Sequence, residues 1–70
     1  FSDKQKRFVA DAAHELRAPL TSIQGNLQML NVYKDVAGSV RDEMMTDVQR
    51  ETERLGRLVN DLLSIARGDN

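Results

Sequence analysis

Seventy residues make one small domain at most, and with no cysteine neither a disulfide nor a thiolate metal site can staple so short a chain. A second copy is therefore the expected support, and the lack of cysteine suits the cytosol. Ten basic residues against eleven acidic ones give no electrostatic case for nucleic acid, and neither a membrane span nor a signal-peptide pattern is present.

The chain reads as all-α. Ser2 followed by Gln5 is a capping-box pattern that opens a first helix. From Val9 onward apolar residues recur in steps of four and three: Val9, Ala13, Leu16, Leu20, Ile23, Leu27 and Leu30. Ala13, Leu20 and Leu27 form one row of a heptad seam, and Val9, Leu16, Ile23 and Leu30 form the other. The spacing predicts helix one over about residues 3 to 33, roughly 45 Å long at 1.5 Å per residue. Pro19 lies inside this pattern. Its ring clashes with the carbonyl of Glu15 and it brings no N–H, so a kink is expected there.

The pattern fails over about residues 34 to 39, where Asp35, Gly38 and Ser39 supply turn chemistry. Ser39 with Asp42 is read as the next N-cap. Helix two, about residues 40 to 67, carries Met45, Val48, Leu55, Val59, Leu62 and Ala66 at heptad positions, with Thr52 interrupting. Met44, Leu58, Leu63 and Ile65 widen that stripe, and Arg67 with Gly68 marks its end. Two such helices cannot cover both apolar stripes between them. A symmetric pair of antiparallel hairpins, a four-helix bundle, covers both; one hairpin packed on another domain is the alternative.

His14 is the only histidine and falls off the seam, pointing to the flank of the expected bundle. No second histidine stands at one-turn spacing, so no metal site is expected. Two readings are open: a solvated surface residue, or an exposed nucleophile. Ala18, one turn on, leaves the ring uncrowded. Asp11 and Glu15 flank it, and a carboxylate that takes the Nδ1 proton leaves Nε2 with a free lone pair.

The stretch His14-Glu15-Leu16-Arg17-Ala18-Pro19-Leu20-Thr21 resembles the H-box of orthodox sensor histidine kinases, and Phe8 to Ala13 resembles the approach to it. Arg54 to Leu63 is similar to that family's second helix, so the likeness covers nearly the whole chain. The resemblance implies a dimerisation and histidine-phosphotransfer domain of the HisKA type, one piece of a longer kinase. His14 would be the phospho-acceptor, Glu15 the base or orienting group and Pro19 a hinge. ATP and Mg²⁺ would be held by a separate catalytic domain, with no cofactor bound by this segment. The phosphoryl group would pass to an aspartate of a response-regulator receiver domain. The segment would be cytoplasmic, without membrane contact of its own, in a membrane-anchored bacterial sensor.

Within that resemblance, Thr21, Gly25 and Asn26 are read either as regulator-docking positions or as ordinary surface residues. Phe8 and Arg17 are candidates for docking the catalytic domain, with Phe8 otherwise a residue of a broad core. The family often has Thr or Asn where this chain has Ala18, a side chain with no hydrogen-bonding group, so weak phosphatase activity is expected. A phosphorelay carrier and a purely structural dimerisation module are the alternatives.

Overall fold

The computed structural model describes residues 2–69. It contains two helices, α1 (Asp3–Val32) and α2 (Gly38–Arg67), folded back on each other as an antiparallel hairpin. This is the expected hairpin.

α1 starts as its sequence directs. The Ser2 N–H donates to Gln5 Oε1 at 2.8 Å, and the Gln5 N–H donates to Ser2 Oγ at 3.2 Å. Two of the donors that every helix start leaves over are thus used reciprocally. α1 ends at Val32, where the Tyr33 N–H donates to the Met29 carbonyl at 2.9 Å. The expected kink is not borne out as a break: α1 is helical throughout, with Pro19 inside it.

The start of α2 departs from the sequence reading. Its N-cap is Ala37, which contributes no side-chain bond, and Gly38 is the first helical residue. Ser39 therefore lies inside the first turn instead of capping it. The Val36 N–H donates to the Tyr33 carbonyl at 3.3 Å, which closes the connection one step earlier than the turn residues suggested. At the far end, Gly68 takes a φ of 75°. Its N–H donates to the Ile65 carbonyl, and the Asp69 N–H donates to that of Ser64 at 2.9 Å. This is a Schellman close, which needs a residue free to adopt the left-handed region.

The Cα envelope measures 50 × 21 × 10 Å, a layer one helix thick. Leu30 is the only buried large aliphatic side chain among the described residues, and Pro19 is wholly buried. The inner face of α1 runs through Phe8, Ala12, Leu16, Pro19, Ile23, Asn26 and Leu30, and meets Met44, Val48, Leu55, Leu58 and Leu62 of α2. The heptad stripe read on α2 thus divides in two. Val48, Leu55 and Leu62 face α1, joined by Met44 and Leu58, while Met45, Val59 and Leu63 stay exposed.

On α1 the exposed partners of that second stripe are Val9, Ala13, Leu20 and Leu27. The large members of both stripes are 39–52% exposed. At 100° per residue the second stripe of each helix lies about 90° from its inner face, rotated in the same sense along the chain. Because the helices are antiparallel, equal rotations bring both second stripes to the same side of the layer. The hairpin therefore has one broad apolar side that it cannot cover itself.

Candidate functional site

His14 is exposed, in the upper half of α1. By the same helical arithmetic it points roughly 120° or more away from both the inner face and the second stripe. It therefore projects from the side that the apolar stripes leave free. Ala18, Thr21 and Gly25 share its stripe within about 40°, and all three are exposed. A Cβ added at Gly25 would meet nothing within 4 Å, so the backbone there is bare to any approaching surface. This strip of small side chains leaves the imidazole unobstructed from below.

Glu15 and Asp11 are exposed beside it. Among the described residues, no hydrogen bond or ion pair joins either of them to His14. Adjacent helical residues do not face one another, so Glu15 must swing to reach the ring. No cluster of three or more metal-ligating side chains occurs among the described residues.

The remaining candidates separate. Asn26 is half-buried on the inner face, and its Nδ2 donates to the Ser22 carbonyl at 3.0 Å. The reading that put it on the outward side of His14 is corrected: three residues from Ile23 and four from Leu30, it follows the hairpin seam. Phe8 is also half-buried, in a groove shared with Lys4, Gln5, Val9, Ile65 and Ala66 at the open end of the hairpin. Arg17 is exposed beside Leu20 and Thr21 in a shallow depression of the second stripe.

One feature escaped the sequence. Below Gly25 the stripe of His14 continues into Gln28, Met29, Val32 and Tyr33, which line an open depression. Met29, Val32 and Tyr33 are 48–60% exposed. They sit off the heptad seam, which was the available signal. No helix among the described residues is long and apolar enough to cross a membrane.

Comparison with known proteins agrees with this geometry. Residues 4–70 match the family described as "His Kinase A (phospho-acceptor) domain". The chain is 41% identical over 69 residues to a protein named "Sensor protein kinase WalK" from Staphylococcus saprophyticus, covering 96% of the chain and 11% of that protein. It is 46% identical over 65 residues to the "Probable sensor histidine kinase TcrY" of Mycobacterium tuberculosis, covering 93% and 14%. It is 37% identical over 67 residues to the "Signal transduction histidine-protein kinase ArlS" of Staphylococcus aureus, covering 96% and 15%. No solved structure matches it. With a match along all but its first three residues, and an exposed histidine in the first half of α1, the chain belongs to the His Kinase A phospho-acceptor domain family.

Proposed function

We propose that this chain is the dimerisation and phospho-acceptor segment of a sensor histidine kinase, with His14 as the acceptor. The observation that carries the reading is the placement of His14, within His14-Glu15-Leu16-Arg17-Ala18-Pro19-Leu20-Thr21, on the side of α1 turned away from both apolar stripes. A nucleophile needs a lone pair and an open approach, and phosphoryl transfer is mainly positioning and charge stabilisation.

In the first step the Nε2 lone pair attacks the γ-phosphorus of ATP delivered with Mg²⁺ by a catalytic domain. An N–P bond forms, the bond to the bridging oxygen breaks, and ADP leaves. Glu15 orients the ring through Nδ1–H and takes that proton as the ring becomes cationic. In the second step a carboxylate oxygen of a receiver-domain aspartate attacks phosphorus and the P–N bond breaks. Thr21 and Gly25 lie under the acceptor and suit regulator docking, with Met29, Val32 and Tyr33 extending the surface. Asn26 contributes to the seam, and Phe8 and Arg17 mark the edges open to the catalytic domain.

The exposed area supports dimerisation. The hairpin exposes 5711 Å², whereas a compact chain of this size exposes about 4,400 Å². The excess, on the order of 1,300 Å² per chain, is what a stable homodimer buries. The chain spans only 11–16% of the relatives cited or their kin, so catalysis and signalling belong to the longer protein. Membrane anchorage is likewise a property proposed for that longer protein.

The test adds a purified ATP-binding domain and γ-labelled ATP. Acid-labile, base-stable label that His14→Gln abolishes is the expected result. Absence of label from any kinase domain, with the dimer intact, would leave a structural module as the answer.

A further inference from the structure

We infer that the open flank of His14 is completed by the second copy: the helix beside it in the paired hairpins is α2 of the partner subunit, with Gly56 of the partner subunit level with the imidazole, and not the α2 of its own chain. This rests on the paired-hairpin reading and adds to it which helix of which copy stands beside the acceptor.

Each helix gives one apolar row to its own hairpin and leaves another open, and that choice decides the neighbour. On α1 the inner face takes Leu16, Ile23 and Leu30 and leaves Ala13, Leu20 and Leu27 exposed. In a right-handed helix viewed from its start, the open row then lies clockwise of the inner face. A second copy seated on it, with every helix antiparallel to its neighbours, fixes the order around the bundle. Clockwise from the same viewpoint it runs α1, α2, α1 of the partner subunit, α2 of the partner subunit. His14 points about 155° from the inner face and about 125° from the open row, so it leans towards the α2 of the other copy. With the two rows exchanged, the same imidazole would lean towards its own α2.

Level and charge agree with this order. Lys4, Gln5 and Phe8 share a groove with Ile65 and Ala66, and the connection runs from Val32 to Gly38. That antiparallel register sets His14 level with Gly56, and a two-fold axis along the hairpin keeps each residue of the second copy at its own height. The edges brought together are Ala10, Arg17 and Gln24 of one copy and Leu63, Gly56 and Gln49 of the other, all exposed on the single hairpin. Both sets step by seven, so one register serves all three pairs, and Arg17 is the only charge among them. Arg50 and Arg54, paired with Asp47 and Glu51 at 3.5 and 3.4 Å, project from the opposite side of the layer, where a covering copy would have to desolvate them. Gly56 weakens the middle of α2, and a Cβ built there meets nothing within 4 Å. In the pair it leaves the wall beside the imidazole bare, so that a domain carrying phosphate approaches over exposed backbone.

The test uses the full kinase that contains this segment, with any cysteine elsewhere replaced by serine. Gln24→Cys is placed on one tagged chain and Gln49→Cys on another, and the mixed dimer is oxidised. Within one hairpin the two sites sit on outer edges beyond disulfide reach, whereas between copies they face each other. A disulfide joining the two tags is expected. A dimer mass by light scattering without that bond, or a Q24C/Q49C chain that closes on itself, overturns the proposal alone. The mass of a single chain overturns it together with the paired reading. Mixed dimers purified through both tags give a second readout. Gly56→Phe on the chain that carries His14→Gln is expected to lower labelling of the intact histidine several-fold more than Gly56→Phe on the chain that keeps it. Equal loss in the two arrangements, or the reverse order, would also overturn the proposal.

Discussion

His14 and Pro19 lie five residues apart on opposite sides of α1, the one exposed and the other wholly buried in the seam with α2. The same short motif therefore supplies an open reactive position and the residue that anchors its helix. Substitutions at the two positions should separate cleanly. His14→Gln is expected to abolish phosphoryl labelling while shifting stability by no more than about 0.5 kcal/mol, as for other surface changes. Labelling and thermal melts of one preparation check both halves.

The uncovered apolar side makes a second prediction. Leu20 and Leu27 are 42% and 46% exposed on the hairpin, and a dimer would bury each of them twice, once per protomer. Burial of a leucine contributes about 1.5–3 kcal/mol, and a carboxylate in its place must be desolvated without a partner. Leu20→Glu with Leu27→Glu should halve the mass measured by light scattering and abolish labelling that depends on the pair.

Leu30 tests the inner seam instead. It is the one buried large aliphatic side chain among the described residues, at 8% exposure. Leu30→Ala should cost about 2–4 kcal/mol through lost transfer energy and the cavity left behind. A melting curve on the wild type and the variant reads it directly.

Two glycines should respond with opposite sign to the same substitution. Gly68 sits at φ 75°, so Gly68→Ala should destabilise by about 1 kcal/mol. Gly25 is helical with nothing within 4 Å of a built Cβ, so Gly25→Ala should stabilise by up to about 1 kcal/mol. If Gly25 is the close-approach point for a regulator, the more stable variant should transfer phosphate more slowly in a stopped assay.

Ala18 has no group with which to hold a water. Ala18→Thr should raise dephosphorylation of the phosphorylated regulator several-fold and leave autophosphorylation unchanged. An unchanged regulator half-life would count against the role given to this position.

Much of this was legible in residue spacing. The Ser2–Gln5 box, the helical course of α1 and the glycine close of α2 each follow from local rules and stand as read, whereas Val9, read in one row with Leu16, Ile23 and Leu30, lies exposed with Ala13, Leu20 and Leu27. What spacing could not supply was which apolar row meets which neighbour. Met44 and Met45 are adjacent and equally apolar, yet one faces α1 and the other faces away. That choice depends on the rotation of α2 about its own axis, which is fixed by packing against the other helix. The turn was misjudged for a related reason. Ser39 is a good cap by composition, but the chain reverses at Tyr33 to Ala37, and helical geometry has begun before Ser39 is reached.

A hairpin whose Cα atoms span only 10 Å in its thin direction has almost no interior. If the proposed pairing of two hairpins covers its open side, folding and assembly become a single equilibrium whose midpoint moves with the amount of chain in solution. For such a segment, dilution would then act as a denaturant does, and the stability of the hairpin would be a property of the amount of chain present as much as of its sequence.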